Sequence, residues 1–305
     1  MHKTQIKQTK MEQIITRRNL RFISFIFFLL NITSMALSMP PHSPLSTPSK
    51  HFVLIHGACH GAWAWFKLLP LLRAYGYNVT AIDLAASGID PQQVNTFGSI
   101  SDYFRPLRDL MASLPQDEKV ILVGHSFGGI AISQAMELFP EKIYAAVFLT
   151  AIMPGPSLNL STITQESERR VGDQLDNRYT RGDGNTPATL TLGPMFLKSR
   201  MYQLSPTEDW TLATTLMRPE PQISEHDLSS GELTLTTEKY GSIKKAFIIS
   251  EKDLTIEKDF QEWMIARNPP NLVERIFGSD HMVMMSKPRE LSASLLRIAQ
   301  KVKYL

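Results

Sequence analysis

The chain predicts an α/β architecture, a mostly parallel sheet with helices on both faces and an inserted cap. Three observations carry this. Short apolar runs alternate with helical periods from His51 to Leu149. A strand–turn–helix unit, Val120 to Met136, holds Gly124-His125-Ser126-Phe127-Gly128 at its turn. The alternation stops over about 153–240, in a polar stretch rich in turn formers, and resumes at Lys245.

His51–Ile55 and Val79–Ile82 read as strands. Between them the spacing predicts a helix over Trp65–Tyr75, closed by Gly76. A helix runs from near Ser101 to Leu114 and is stopped by Pro115. Val120-Ile121-Leu122-Val123 is a buried strand, and Ile130, Ala131, Ile132, Ala135 and Met136 recur at helical spacing behind the turn. Ala145–Leu149 is the next strand. The cap region carries Pro154, Pro156, Gly182, Gly184, Pro187, Pro194, Pro206, Pro219 and Pro221, with short helices near Pro194–Leu204 and Pro206–Met217. The core returns as a strand at Lys245–Ile249, a helix at Glu257–Ala266 and a strand at Leu272–Phe277. A final helix, Glu290–Lys301, buries Leu291, Leu295, Leu296 and Ile298. No internal repeat is visible.

Composition excludes several classes. With 43% hydrophobic and 20% charged residues, the chain is ordinary globular material. Its single cysteine, Cys59, cannot form an intramolecular disulfide or a cysteine-rich metal site. Residues 1–38 hold six Lys/Arg (Lys3, Lys7, Lys10, Arg17, Arg18, Arg21) and one acid, Glu12, so the remainder has 26 basic and 28 acidic residues. Without a basic surplus there, nucleic acid is excluded as a partner.

Residues 1–38 read as a signal-peptide-like targeting segment. A basic stretch precedes the apolar run Phe22–Leu30, and Ala36-Leu37-Ser38 offers a small-x-small cleavage site. The run is too short for a comfortable membrane span, so the mature protein is expected to have none. The segment routes the chain to the secretory pathway or outside the cell if it is used; the alternative is a cytoplasmic protein. Residues 39–50 are Pro- and Ser-rich and read as a disordered linker. The α/β domain is then 51–305, with the cap inserted at about 153–240.

The strand–turn–helix unit carries the chemistry. A turn this sharp lifts Ser126 above the sheet beside a helix N-terminus, whose free N–H groups stabilise negative charge. Gly124 and Gly128 relieve the crowding around it. A serine hydroxyl needs a base, and the base needs a group that fixes its tautomer. Downstream histidines are His226 and His281. His226 lies among charged cap residues, whereas His281 lies in a loop between a strand and the last helix, where a base belongs. Asp253 follows the strand Lys245–Ile249 at its C-terminal end, where ligands meet parallel sheets. Asp280 is too close in sequence to reach the His281 ring, and Asp259 falls inside a helix. The triad is therefore Ser126, Asp253 and His281. The oxyanion donors are the N–H groups of Phe127 and, in the loop after the first strand, Ala58, with Gly57 allowing close approach. His56 and His60 have metal-like i,i+4 spacing but no third ligand, so packing is the reading kept and no metal is expected. No cofactor is called for.

With these residues the chain resembles the plant methylesterase/hydroxynitrile lyase family of α/β-hydrolases over about residues 50–304. The segments that carry the resemblance are His51–Trp63, Asp83-Leu84-Ala85-Ala86-Ser87-Gly88, Asp117–Gly129, Glu251–Thr255 and Asp280-His281-Met282. It implies an α/β-hydrolase fold, the same triad and oxyanion donors, a small-molecule ester as substrate, and in some members a homodimer. Lyases of the family have a threonine and a lysine where this chain has Gly57 and Met282. The resemblance therefore implies a serine carboxylesterase acting on methyl esters of small plant metabolites or hormones, such as salicylate, jasmonate, indole-acetate or an alkaloid ester. The alternatives are a hydroxynitrile lyase and a small-molecule receptor or carrier with weak hydrolase activity. The cap departs most from the family: residues 166–187 are strongly charged, the tryptophan of methyl salicylate esterases has no counterpart there, and Arg218-Pro219-Glu220-Pro221-Gln222 is unusually polar.

Overall fold

The computed structural model describes residues 51–182 and 186–302. The targeting segment expected at 1–38 and the linker expected at 39–50 lie outside the described residues. Among these residues the strands are β1 (His51–Ile55), β2 (Asn78–Ile82), β3 (Val120–His125), β4 (Ile143–Leu149), β5 (Arg178–Thr180), β6 (Thr189–Thr191), β7 (Glu220–Pro221), β8 (Lys245–Ser250) and β9 (Leu272–Ile276). Six of them form a parallel sheet in the order β2-β1-β3-β4-β8-β9.

β1, β3 and β8 are buried along their whole length. That is why they read as near-continuous apolar runs: helices cover both faces of the sheet. Phe52, Leu54, Val123 and Val147 point to the face covered by helices Leu68–Ala74 and Pro288–Lys301. Val53, Ile55, Leu122 and Phe148 point to the other face, under helices Ile100–Ser113 and Gly128–Leu138. Each such large side chain contributes roughly 1.5–3 kcal/mol by leaving water.

Two details of the core differ from expectation. The helix expected over 65–75 divides into a 3-10 turn, Ala62–Trp65, and a helix, Leu68–Ala74. Pro70 has no N–H to donate, which costs least in a first turn, and the helix starts two residues before it. In the last helix Leu296 is half-buried, while Leu291, Leu295 and Ile298 are fully buried. Leu296 follows Leu295 directly, so it stands beside the apolar stripe and not on it.

The cap holds more structure than its sequence suggests. Helix Leu160–Arg170 starts at Asn159, whose side chain accepts the Thr162 N–H at 2.8 Å. β5, β6 and β7 form an antiparallel sheet. Strands of two or three residues, several of them polar, are too short to display a period. The expected helical pieces appear as Pro194–Phe196 with Leu197–Met201, and as Thr207–Leu216. The polar segment at 218–222 is a clamp. The Arg218 guanidinium donates to the carbonyls of Gly88, Asp90 and Gln92 in the core loop after β2. Lys67 pairs with the buried Asp209 of the cap helix.

Glu220, in β7, is 2% exposed and its Oε2 lacks a hydrogen-bond partner. Burial pushes its carboxyl from 4.5 up to about 8. The folded state therefore holds this proton more tightly than the unfolded chain does. The associated stability is complete below pH 4.5 and is lost as pH rises to about 8. Melting curves of wild type and Glu220→Gln between pH 5 and pH 9 are expected to diverge, the wild type losing roughly 5 °C more than the variant. Parallel curves would place the ionisation of Glu220 in the ordinary carboxylate range.

Candidate active site

The backbone at the end of β3 leaves no room for side chains other than the serine. Ser126 has φ 53°, in the left-handed region. A Cβ on Gly124 would lie 2.7 Å from the Gly128 carbonyl oxygen, and one on Gly128 would lie 2.5 Å from that of His56. A Cβ on Gly57 would lie 2.7 Å from the Cβ of Ser126. Helix Gly128–Leu138 begins two residues after Ser126, so its N-terminus lies at the turn. Cys59 (φ 59°) and Thr150 (φ 37°) share the left-handed conformation. Both border the same site, where such strain is characteristically stored.

Ser126, Asp253 and His281 are brought together by three separate strand ends. His281 follows β9 and is fully buried; its Nε2 lies 3.0 Å from Ser126 Oγ and its Nδ1 lies 2.7 Å from Asp253 Oδ2. A carboxylate only accepts, so Nδ1 carries the proton and the Nε2 lone pair faces the serine hydroxyl. Asp253 follows β8. Its Oδ1 accepts the N–H groups of Thr255 (2.7 Å) and Ile256 (3.0 Å), and its Oδ2 also accepts the Thr150 hydroxyl. These bonds hold the carboxylate plane toward the imidazole. Thr150 and His125 were missed by the sequence reading. His125 Nε2 donates to the His281 carbonyl at 2.9 Å. Nothing local marks either residue; the only signal was their position at the ends of β4 and β3.

The rivals go elsewhere. His226 is exposed in the short helix Glu225–Ser229. Asp259 pairs with Arg170. Asp280 Oδ2 accepts the Leu204 N–H (3.0 Å) and the Ser205 hydroxyl (2.8 Å), bracing the loop against the cap. His56 and His60 have their ring nitrogens engaged. His56 Nε2 accepts the Leu84 N–H at 3.0 Å, and its Nδ1 donates to the Gly57 carbonyl at 2.8 Å. Burial lowers the basicity of His56 and His125, and takes His60 to about 4. The Cys59 thiol is buried, donates to the Leu190 carbonyl at 3.4 Å, and is pushed well up by burial. It is therefore a packed thiol and not a thiolate nucleophile.

Ser126, His281, Ala58 and Phe127 meet at a cavity of about 300 Å³. The N–H groups of Ala58 and Phe127 donate to no other group among the described residues. Leu190, Leu192, Phe196, Met201, Ile256 and Phe260 supply apolar wall, and Arg170, Asp173, Arg200 and Glu257 also border the cavity. Part of the cap's charged run is paired. Arg170 pairs with Glu166 and Asp259, and Asp176 accepts the N–H groups of Met195 and Phe196.

This is the architecture of a serine hydrolase with a covered apolar pocket. The chain matches the alpha/beta hydrolase family over residues 52–294. It is 51% identical to methyl jasmonate esterase 1 of Vitis vinifera, over 82% of this chain and 97% of that protein. It is 46% identical to salicylic acid-binding protein 2 of Nicotiana tabacum, over 83% of this chain and 98% of that one. Among solved structures, tomato methylketone synthase I complexed with 2-tridecanone superposes with a TM-score of 0.78 at 50% identity, covering 83% of this chain and 99% of that one. The chain belongs to the alpha/beta hydrolase family and, within it, to the plant methylesterases; it is a carboxylic ester hydrolase.

The geometry around Asp253 sets two expected outcomes. Asp253→Asn is expected to lower kcat by roughly 10³–10⁴ by favouring the wrong imidazole tautomer. Thr150→Val removes one of the bonds aiming the carboxylate and is expected to lower kcat about fivefold. Initial rates at saturating ester measure both, and an unchanged rate in Asp253→Asn would remove Asp253 from the triad.

Proposed function

We propose that the chain hydrolyses methyl esters of small, largely apolar plant metabolites through an acyl-enzyme on Ser126. The observation that carries this is the unbroken chain Ser126–His281–Asp253, opening on an apolar cavity. His281 Nε2 takes the hydroxyl proton as Ser126 Oγ attacks the ester carbonyl. Asp253 holds the ring and stabilises the imidazolium. The oxyanion forms between the N–H groups of Ala58 and Phe127, each such donor being worth about 3 kcal/mol. His281 then gives its proton to the departing methoxide, which leaves as methanol. Water enters, loses a proton to Nε2 and attacks the acyl carbonyl. Collapse releases the acid and returns the proton to Ser126. Every proton moves among serine, histidine, substrate and water.

Two positions separate this from cyanohydrin cleavage. Gly57 offers no hydroxyl, and Met282 is a fully buried apolar side chain where a departing cyanide would need a cation. The names of the grape and tobacco relatives point to methyl jasmonate and to salicylate as acyl partners. The tomato structure is complexed with a ketone, so an aliphatic keto ester is a further candidate acyl group. Use of the chain in plant hormone metabolism rests on the same names. The basic and apolar segments within 1–38 support entry into the secretory pathway, which N-terminal sequencing of native protein tests by locating a cut near Ser38. Assembly as a homodimer follows from family resemblance and is read by light scattering.

The deciding experiment is methanol release from a panel of methyl jasmonate, methyl salicylate, methyl indole-acetate and a methyl β-keto ester. Wild type is expected to turn over at least one, and Ser126→Ala to lose at least 10³-fold. Equal rates for the two proteins would overturn the proposal, as would mandelonitrile cleavage dependent on His281 in the absence of ester turnover.

A further inference from the structure

We propose that His60 and Tyr202 are positioning residues that aim the Ala58 N–H into the oxyanion hole, so that the cap sets the catalytic geometry of the core. The inference rests on the hydrolase reading above, because it concerns the same oxyanion.

The Ala58 N–H belongs to the Gly57–Ala58 peptide, a rigid plane in which N–H and C=O point in opposite directions. Fixing the Gly57 carbonyl therefore fixes the donor. That carbonyl accepts His56 Nδ1–H at 2.8 Å and the His60 backbone N–H at 3.3 Å. The next peptide is held as well: the Ala58 carbonyl lies 2.6 Å from His60 Nδ1. Both planes flanking Ala58 thus depend on His60, one through its backbone and one through its ring.

The ring is itself held by the cap. Its Nε2 lies 2.6 Å from the Tyr202 hydroxyl, and both groups are buried. A carbonyl only accepts, so His60 Nδ1 must carry the proton; Nε2 is then a lone pair, and the Tyr202 hydroxyl donates to it. The Ala58 carbonyl dictates this tautomer, and Tyr202 satisfies the ring nitrogen it leaves as an acceptor. With the proton on Nε2 instead, two lone pairs would face each other across 2.6 Å. The ring stacks on Trp63 (centroids 5.1 Å) and lies nearly parallel to the Tyr202 ring (5.9 Å), which fixes its tilt.

The same part of the cap reaches the other side of the site. Arg200 and Met201, just before Tyr202, border the cavity. The Met201 carbonyl accepts the Met282 N–H at 3.3 Å, one residue beyond His281. The loop around Ala58 is tied to the cap twice more, by the Arg218 N–H on the Cys59 carbonyl (3.0 Å) and by the Cys59 thiol on the Leu190 carbonyl. Cys59 is held at φ 59°, so a loop released from the cap has a more relaxed conformation available to it.

The test compares wild type, Tyr202→Phe, His60→Leu and His60→Asn. For each, kcat and KM are measured on the best methyl ester, and affinity is measured for phenylboronic acid, whose serine adduct is tetrahedral and anionic. A mis-aimed donor is lost in the transition state and not in the ground state. His60→Leu is expected to lower kcat roughly 30-fold and boronate affinity by a similar factor, with KM within about twofold. Tyr202→Phe, which deletes one oxygen and keeps the stacking, is expected to lower both about fivefold. His60→Asn keeps an N–H donor near Nδ1 and is expected to recover most of the loss seen in His60→Leu. Unchanged kcat and boronate affinity in Tyr202→Phe and His60→Leu would overturn the inference. So would a change confined to KM, or a His60→Asn variant as impaired as His60→Leu. If His60→Leu does not fold, Tyr202→Phe and His60→Asn decide between the two outcomes. A wild type that turns over no ester, yet binds boronate more tightly than the variants, would count against the substrate reading and for the positioning role. A wild type that binds no boronate would overturn both.

Discussion

The site depends on one steric constraint, the turn from β3 into the helix Gly128–Leu138. Ser126 must adopt φ 53° for its hydroxyl to stand clear of the sheet. At Gly57, Gly124 and Gly128 neighbouring atoms come within 2.5–2.7 Å of an absent Cβ. Side chains there would push apart β1, β3 and the helix, which are also the elements that carry Ala58, Ser126 and Phe127. Strain at one residue is thus tolerated because the parallel sheet on either side of it is buried and fully paired. The Ser126 N–H donates to the Leu149 carbonyl, and its own carbonyl accepts from Gly129 and Ile152. Ser126 is therefore anchored by backbone from three directions before any side chain contributes.

Around that turn the catalytic groups are aimed by buried hydrogen bonds whose donors and acceptors leave no choice of tautomer. Asp253 is saturated by Thr150, Thr255, Ile256 and His281. His56, His60 and His125 are kept neutral by burial. In the unfolded chain they would take up protons near pH 6.5, so the fold loses stability as pH falls below that value. These histidines contribute to the loss of stability on the acid side, and Glu220 in the cap to the loss on the alkaline side.

Legibility varied with how local each signal was. β1, β3, β4 and β8 were plain because strands covered on both faces must be apolar throughout. Ser126, Asp253 and His281 were plain as candidates because Ser126 sits in a glycine-framed turn, and Asp253 and His281 each follow a core strand. The cap was not. Arg178-Tyr179-Thr180 shows no strand period, yet pairs with Thr189–Thr191. Arg218 and Glu220 read as an odd polar stretch; one clamps three carbonyls of the core and the other is a buried acid. Thr150 is an ordinary threonine in sequence and acquires its role only from the fold of Asp253 toward it.

The sequence by itself determined the α/β class and singled out Ser126, His281, Asp253 and the loop that carries Ala58 as the candidate site. These follow from local rules: periodicity, turn sterics, and the place of strand ends in a parallel sheet. The tertiary structure decided how these groups are held and what surrounds them. The reach of Thr150 to Asp253, of His125 to the His281 carbonyl, and of Tyr202 to His60 each joins residues more than a hundred positions apart. No periodicity records such contacts, because the first two depend on which strand ends the sheet order brings together and the third on where the cap folds back upon the sheet.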